Sequence, residues 1–499
     1  MILRPRGYDL KAIGYYTGRL IIGLSLTMVI PIVVSVVSKE WNPALDFLIG
    51  LALSLILGFI LMLICYTSRE LTCTQGMVVV SFSWILAALL GAIPLYMSGQ
   101  WGSFLDAIFE SVSGYATAGL TLGNDLDHLS NGHNMWRHLI MYLGGQGIVV
   151  IGLTFLLGGG RGAFSMYVGE ARDERILPNV VQTARFIWLV SLVYLVIGTF
   201  VLGITAYFGG VALSRAFLHG LWIFIAAWDT GGFAPQSQNI LYYHSFPFEI
   251  VTLCIMMLGA LNFKLHYTIW SGNRRELWRN IEVITFSFTL LVTFTMVSIG
   301  AINRGVYPKF IMLFRKGFYH VVSAHTGTGY ATIYPNQFAE WGGLAIVGII
   351  IAMAIGGGAC STAGGIKVLR VGLLFKAFLE EIKRLMSPES AVIIQKFHHI
   401  KDIVLNDRLL RNTMLITIAY IFLYFAGAVV GMLFGYPALN SFFESASAAA
   451  NVGLSCGITS PSMPALLKIT YILQMWTGRL EFISVFVFIG FIIAVVRGK

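Results

Sequence analysis

Long apolar runs separated by short polar connections make up most of this chain. Runs long enough to cross about 30 Å of hydrocarbon as helices fall near 18–37, 45–65, 77–98, 136–158, 184–208, 246–268, 282–302, 343–376, 409–434 and 465–496. Four of the connections contain a second apolar stretch too short to span a bilayer, followed by small residues and a glycine. Aligned on that glycine they read IFESVSGYATAGLT (108–121), LWIFIAAWDTGGFA (221–234), FYHVVSAHTGTGYA (318–331) and FFESASAAANVGLS (442–455). The shared glycines are Gly119, Gly232, Gly329 and Gly453, and a loose internal period of this kind is what an array of related modules leaves in sequence.

Each module predicts a spanning helix, a re-entrant half-helix, a glycine-bearing extended strand and a second spanning helix. The expected fold is an all-α polytopic membrane protein, with about ten transmembrane helices and four re-entrant pore half-helices. Four pseudo-symmetric helix–pore loop–helix repeats (69–160, 161–280, 281–380 and 381–499) would surround one pore, with an extra N-terminal helix pair at 1–68. In the third loop the half-helix is expected from about 309 to 323, with carbonyl-bearing backbone from His325 to Gly329.

Composition agrees with a lipid solvent. Of 499 residues, 57% are hydrophobic and 11% charged, and mean hydropathy is +0.79, leaving too few polar residues to coat a soluble globule. The first run follows a basic segment without a small-residue cleavage site, so it is expected to be retained rather than removed as a signal peptide. The net charge of +10 reads as topology rather than nucleic-acid binding. Lys and Arg concentrate in alternate connections, such as Arg274, Arg275 and Arg279, and placing these inside puts both termini in the cytoplasm. The five cysteines are isolated, which argues against a disulfide framework or a structural zinc site.

Non-helical backbone is tolerated at membrane depth only where protein buries it or it lines a wet cavity. Carbonyls facing such a cavity can replace the water around a cation, and a half-helix ending there adds partial negative charge. The candidate lining is Ala116, Thr117, Ala118 and Gly119; Thr230, Gly231 and Gly232; Thr326, Gly327, Thr328 and Gly329; and Asn451, Val452 and Gly453. Gly327 has no counterpart in the other loops and reads as the more replaceable glycine of its pair. Asp229 either draws cations to the mouth or accepts hydrogen bonds behind the loop. Glu110 and Glu444 occupy one position in two half-helices, as supports for loop amides or as cation attractors. His325 adjoins the third loop, where it tunes it with pH or hydrogen-bonds behind it, and His398-His399 falls in a charged inner segment and reads as solvated.

Between Ala354 and Lys367 the run is broken by Gly356, Gly357, Gly358, Gly364 and Gly365, at roughly 1 kcal/mol per glycine relative to alanine in a helix. The helix should break there, into a mobile plug or a static packed kink. Lys367 closes the segment, either as part of the gate or snorkelling to the interface. Arg479 is expected inside the last span, where a charge needs a partner: loop carbonyls, a carboxylate on another helix, or the conduction path. Glu481, two residues on, would not face it on a continuous helix.

These motifs, together with MYLGGQGIVVIGL (141–153), LHYTIWSGNRRELWR (265–279), GGGACSTAGGIKVLR (356–370) and TGRLEF (477–482), closely resemble the Trk/Ktr/HKT superfamily of potassium transporters. The likeness is strongest to the bacterial Trk-type membrane subunit. The resemblance implies K+ as the transported ion and no organic cofactor on this chain. It implies a homodimer in the bacterial cytoplasmic (inner) membrane, and a cytoplasmic nucleotide-binding regulatory subunit of the RCK/TrkA type. It also implies that Arg479 lies near the gating loop below the filter. Tyr115-Ala116-Thr117-Ala118 and Asp229 depart from the family's usual first and second loops, which leaves a less selective K+/Na+ pore open. A sodium- or proton-coupled carrier with a midplane site at broken helices is a further alternative. An enzyme is not expected, since no HExxH or GxSxG motif is present.

Overall fold

The computed structural model describes residues 6–148, 150, 166–170, 179–307, 309–388 and 395–497. The expected span 136–158 and the boundary at 160–161 fall partly or wholly outside these residues. The fold is all-α and polytopic, apart from one short hairpin.

An N-terminal helix, Gly7–Leu26, turns slightly and continues as Val29–Val37, packing beside Trp41–Ile64. Its glycines permit the close approach: a Cβ at Gly18 would come within 2.7 Å of the Gly58 carbonyl oxygen. Four units follow. The first contains Cys73–Met97, the short helix Phe104–Tyr115 and Asn131–Gln146. The second contains Val180–Phe208, Leu213–Trp228 and the pair Phe246–Gly259 and Phe263–Trp270. The third contains Ile281–Asn303, a short helix from Phe310 to Thr326 with a π-helical turn at Phe314–Phe318, then Gly343–Ile355 and Val368–Leu385. The fourth contains Asp407–Leu433, Ala438–Ala449 and the pair Ala465–Arg479 and Ile483–Val496.

Helix starts follow from local chemistry. Ser103, Ser130, Asn179, Ser245, Asn280 and Asn406 each accept a first-turn amide with their side chains, satisfying donors that a helix leaves open. Of the long helices that follow the short ones, Asn131–Gln146 and Phe246–Gly259 are capped in this way, whereas Gly343–Ile355 and Ala465–Arg479 begin without a side-chain cap.

Among the described residues six helices are individually long and apolar enough to cross a membrane, or eight spans if each of two helix pairs bent by 98° and 113° counts as one. The bent pairs correct the expectation of straight spans at 246–268 and 465–496. The first breaks where Asn262 caps the new helix by accepting from the Lys264 amide at 2.8 Å. The second breaks at Glu481 and Phe482, whose φ angles are 48° and 71°, in the left-handed region that costs a side-chain-bearing residue about 1–2 kcal/mol.

Lys396–His399 and Lys401–Val404 form an antiparallel hairpin. This corrects the solvated reading of the histidine pair: His399 is 4% exposed and faces Asn280 at 3.3 Å, while His398 lies 3.0 Å from Glu276 and 2.6 Å from Asp402.

Candidate functional site: four loops around one axis

Each short helix ends the same way. The residue two before the shared glycine is left-handed in all four loops: Thr117 (φ 55°), Thr230 (49°), Gly327 (75°) and Asn451 (55°). The next amide folds back onto the helix, Ala118 to Ser113, Gly231 to Ala226, Thr328 to Ser323 and Val452 to Ser447, at 2.7, 2.8, 2.9 and 2.9 Å. This is the Schellman closure. It turns the amide inward and leaves the carbonyl of the same residue uncommitted. Gly327 therefore shares its conformation with three side-chain-bearing residues, and a Cβ there would meet nothing closer than 3.5 Å.

The shared glycines are different. Gly119, Gly232, Gly329 and Gly453 have φ of 75°, 71°, 81° and 99°, and a Cβ on each would strike a carbonyl of the neighbouring loop. Gly119 lies against Gly231, Gly232 against Thr328, Gly329 against Val452, and Gly453 against Ala118. The contacts close a cycle through loops one, two, three and four and back to one. Four loops joined in this order surround a single axis. The carbonyls of Ala118, Gly231, Thr328 and Val452 accept no hydrogen bond from the described residues, although these residues are buried. Buried carbonyls without donors are rare.

Behind the ring three of the loops are fastened by the residue nine before the shared glycine. Glu110 accepts from the Leu122 amide at 3.1 Å and from Thr121. It also pairs with Arg137 at 2.8 Å, both side chains being fully buried, and Arg137 reaches on to the Ala234 carbonyl of the second loop. Glu444 accepts from the Cys456 and Ile458 amides at 2.9 and 3.1 Å and from the Ser455 and Thr459 hydroxyls at 2.6 Å each. In the third loop His320 takes this place, with Nε2 accepting from the Thr332 amide at 3.2 Å. In the second loop Ile223 stands there, and the residue it would serve is Pro235, which has no amide hydrogen to satisfy. His320 and Pro235 escaped the sequence reading; the signal was a polar residue nine before the glycine, matched to an amide three after it.

Asp229 caps the second short helix and is fully buried, with Oδ1 accepting from the Gln146 side chain at 2.8 Å. Gln146 accepts in turn from Ser191, so the carboxylate is held from behind the loop. His325 is buried, with Nε2 2.7 Å from the Thr289 hydroxyl, likewise behind the third loop.

Residues 356–367 form a folded segment across the helix-side end of the ring. Its ends pair through Ile366 to Ala354 and Lys367 to Ile355, at 3.0 and 2.7 Å. The Gly358 amide donates to Ala260 and the Ala359 amide to Glu282, at 2.9 and 2.6 Å. Gly356 and Gly365 are left-handed, at 72° and 78°, as are Cys360 and Lys367. The side-chain ammonium of Lys367 donates to the Ala363 carbonyl. Gly357 lies against Ala363 and Ala260. The segment reaches three of the four loops: Thr362 Oγ1 is 3.2 Å from Thr230 Oγ1, a Cβ at Gly364 would strike the Ala450 carbonyl, and Gly327 neighbours Gly364. Arg479 ties in the first loop, donating to Thr117 Oγ1 at 3.2 Å and to the carbonyls of Thr362 at 2.7 Å and Gly144 at 2.5 Å. Glu481 pairs with Arg370.

A row of glycines after the loops also went unread: a Cβ at Gly144, Gly259 or Gly478 would strike the carbonyl of Tyr115, Trp228 or Ala449, the last helical turn of its own half-helix. These close approaches seat each short helix on the long helix that follows it.

A polytopic membrane protein in which four short helices bring buried carbonyls without donors among the described residues to one axis offers oxygens suited to a cation. The chain belongs to the TrkH family of cation transport proteins, whose model matches residues 44–494. It is 33% identical to an uncharacterized cation transporter of Methanocaldococcus jannaschii, over 97% of this chain and 96% of that protein. It is 28% identical to the Trk system potassium uptake protein TrkH of Escherichia coli K12, over 96% and 98%. The crystal structure of the potassium transporter TrkH from Vibrio parahaemolyticus shares the fold, with TM-score 0.80 at 24% identity, covering 95% of this chain and 97% of that one.

Proposed function

We propose that this chain takes up K+ across the cytoplasmic membrane through a gated, channel-like pore, with both termini in the cytoplasm. The observation that carries this reading is the cycle of four glycines and four unpaired carbonyls, Ala118, Gly231, Thr328 and Val452. A dehydrated cation on that axis would exchange water oxygens for carbonyl oxygens, in a field made more negative by four helix C-termini. The repeats 69–160, 161–280, 281–380 and 381–499 would each supply one quarter of the filter, with 1–68 outside it. Segment 356–367 and Arg479 would form the gate: the guanidinium would repel a cation leaving the filter while its hydrogen bonds hold the segment in place. As the resemblance to Trk-type membrane subunits implies, the working form would be a homodimer in membrane lipid, governed by a cytoplasmic nucleotide-binding RCK/TrkA-type subunit.

Growth rescue of a potassium-uptake-deficient bacterium at low external potassium tests the assignment. The unsubstituted chain, expressed with its regulator, should rescue, and Gly119→Ser should admit Na+ at the expense of K+. Membrane expression without rescue would refute K+ uptake. Currents that follow the K+ gradient alone would separate a pore from a coupled carrier. Arg479→Ala should raise rubidium flux severalfold, and unchanged flux at normal expression would remove Arg479 from the gate.

A further inference from the structure

The back of the first filter loop opens toward the bilayer. A cavity of about 230 Å³ lies between Cys73–Met97, the first short helix and Ala465–Arg479. Its walls include Trp84, Ala88, Ile108, Tyr115 and Trp476, and its inner end is Ala116, the residue that caps the first short helix and begins the filter loop. The lining is almost wholly apolar. An apolar cavity of about 150 Å³ already accepts a benzene ring, so this one has room for several methylene groups.

What fills it follows from its mouth. Leu89 and Leu473 line the cavity and are 36% and 52% exposed, on helices whose outward faces are apolar. A surface of that kind, on a spanning helix, faces hydrocarbon. A void beside hydrocarbon forfeits dispersion contacts that a tail entering it would recover. We infer that this cavity is a binding site for the acyl tail of a membrane lipid, seated against Tyr115 and Ala116 behind the first filter loop. The tail would buttress the end of the short helix, so bilayer chain composition would bear on the geometry of Thr117 and Gly119. The binding claim is independent of which ion passes; its effect on flux rests on the pore reading above.

Tryptophan quenching by phosphatidylcholine with acyl chains brominated near mid-chain tests the site in the reconstituted full-length protein. Trp84 and Trp476 are the reporters, their share of the quenching defined by comparison with the Trp84→Phe, Trp476→Phe double variant. Ala88→Phe should fill the cavity and abolish that share, and Ile85→Phe, at the wall, provides a second filling variant if the first fails to fold. Equal quenching in filled and unfilled proteins would overturn the site. Reporters that bromine reaches only after dilution to single chains would also overturn it, since a second copy would then cover the mouth. Rubidium flux in vesicles of shorter or longer chains should vary for the unsubstituted protein and lose that dependence in the filled variants. A dependence that survives filling would overturn the coupling to the filter.

Discussion

Two parts of the site are held by the same chemistry and backed in opposite ways. Glu444 is fully buried and accepts several donors of the fourth loop, all between Ser455 and Thr459. Glu282 accepts one amide of segment 356–367, that of Ala359. It lies 3.3 Å from Asn262 and 4.0 Å from His399, and the neighbouring His398 side chain is 22% exposed. The fourth loop is therefore fixed to a carboxylate on its own short helix, whereas segment 356–367 is fixed to a carboxylate that also faces the hairpin at 396–404, part of which solvent reaches. Under the pore reading proposed above, the loops would be a rigid selector and segment 356–367 an adjustable obstruction.

The largest effect is expected where the fixed side is broken. Glu444→Ala strands the amides of Cys456 and Ile458, and a buried donor left unmet costs about 1–3 kcal/mol. Thermal melting in detergent should fall by many degrees and rubidium flux should vanish, with Glu444→Gln recovering part of both. Full flux in the alanine variant would show that the fastening is dispensable. Arg137→Ala belongs to the same class, since breaking one side of a buried pair costs about 3–5 kcal/mol.

A sharper test exploits the second loop, where Ile223 and Pro235 replace carboxylate and amide. Pro235→Ala creates a buried amide opposite an apolar side chain and should cost about 1–3 kcal/mol. Ile223→Glu alone buries a carboxylate without that donor. Together they recreate the pairing of the first and fourth loops, so the double variant should be less damaged than the sum by about 0.5–3 kcal/mol. Strict additivity in melting temperature would sever the two positions.

The loops were legible in the sequence because backbone chemistry leaves few options: only glycine fits where a Cβ would strike the next loop's carbonyl. The left-handed position before it was illegible, since Thr117, Thr230, Gly327 and Asn451 share a conformation across three residue types. The breaks at 260–262 and 480–482 were missed because GALNF and RLEF interrupt helices without a long polar interval, and a hydropathy window registers only length and polarity. The burial of His399 depends on Asn280, more than a hundred positions away, and nothing local announces it.

On the adjustable side the sign should reverse. Glu282→Gln weakens the hold on Ala359, a bond to a charged acceptor worth about 1.5–3 kcal/mol, while the four loops keep their own fastenings. Rubidium flux should rise rather than fall, at unchanged expression. A loss of flux equal to that of Glu444→Ala would erase the distinction between selector and obstruction.

The smallest effect expected is one of pH. The hydrogen bonds of His398 to Asp402 and then Glu276 raise its pKa above the ordinary histidine value, against burial and the nearby Arg279. Burial opposes ionisation of Glu276, but His398, the Ile400 amide and Asn280 outweigh it and its pKa is lowered; that of Asp402 is lowered chiefly by His398. For a group whose folded pKa is raised, the stabilisation is fully present below the unfolded value and disappears as pH climbs through the folded one. The hairpin should therefore be best docked in mildly acid solution and loosen as pH climbs from about 6.5 through the raised pKa of His398. Protection of the amides at 396–404, taken relative to their intrinsic base-catalysed exchange, should fall across that window, accompanied by a modest rise in rubidium flux. His398→Gln should flatten both profiles, and a flux profile unaltered by that substitution would separate the hairpin from the segment above it.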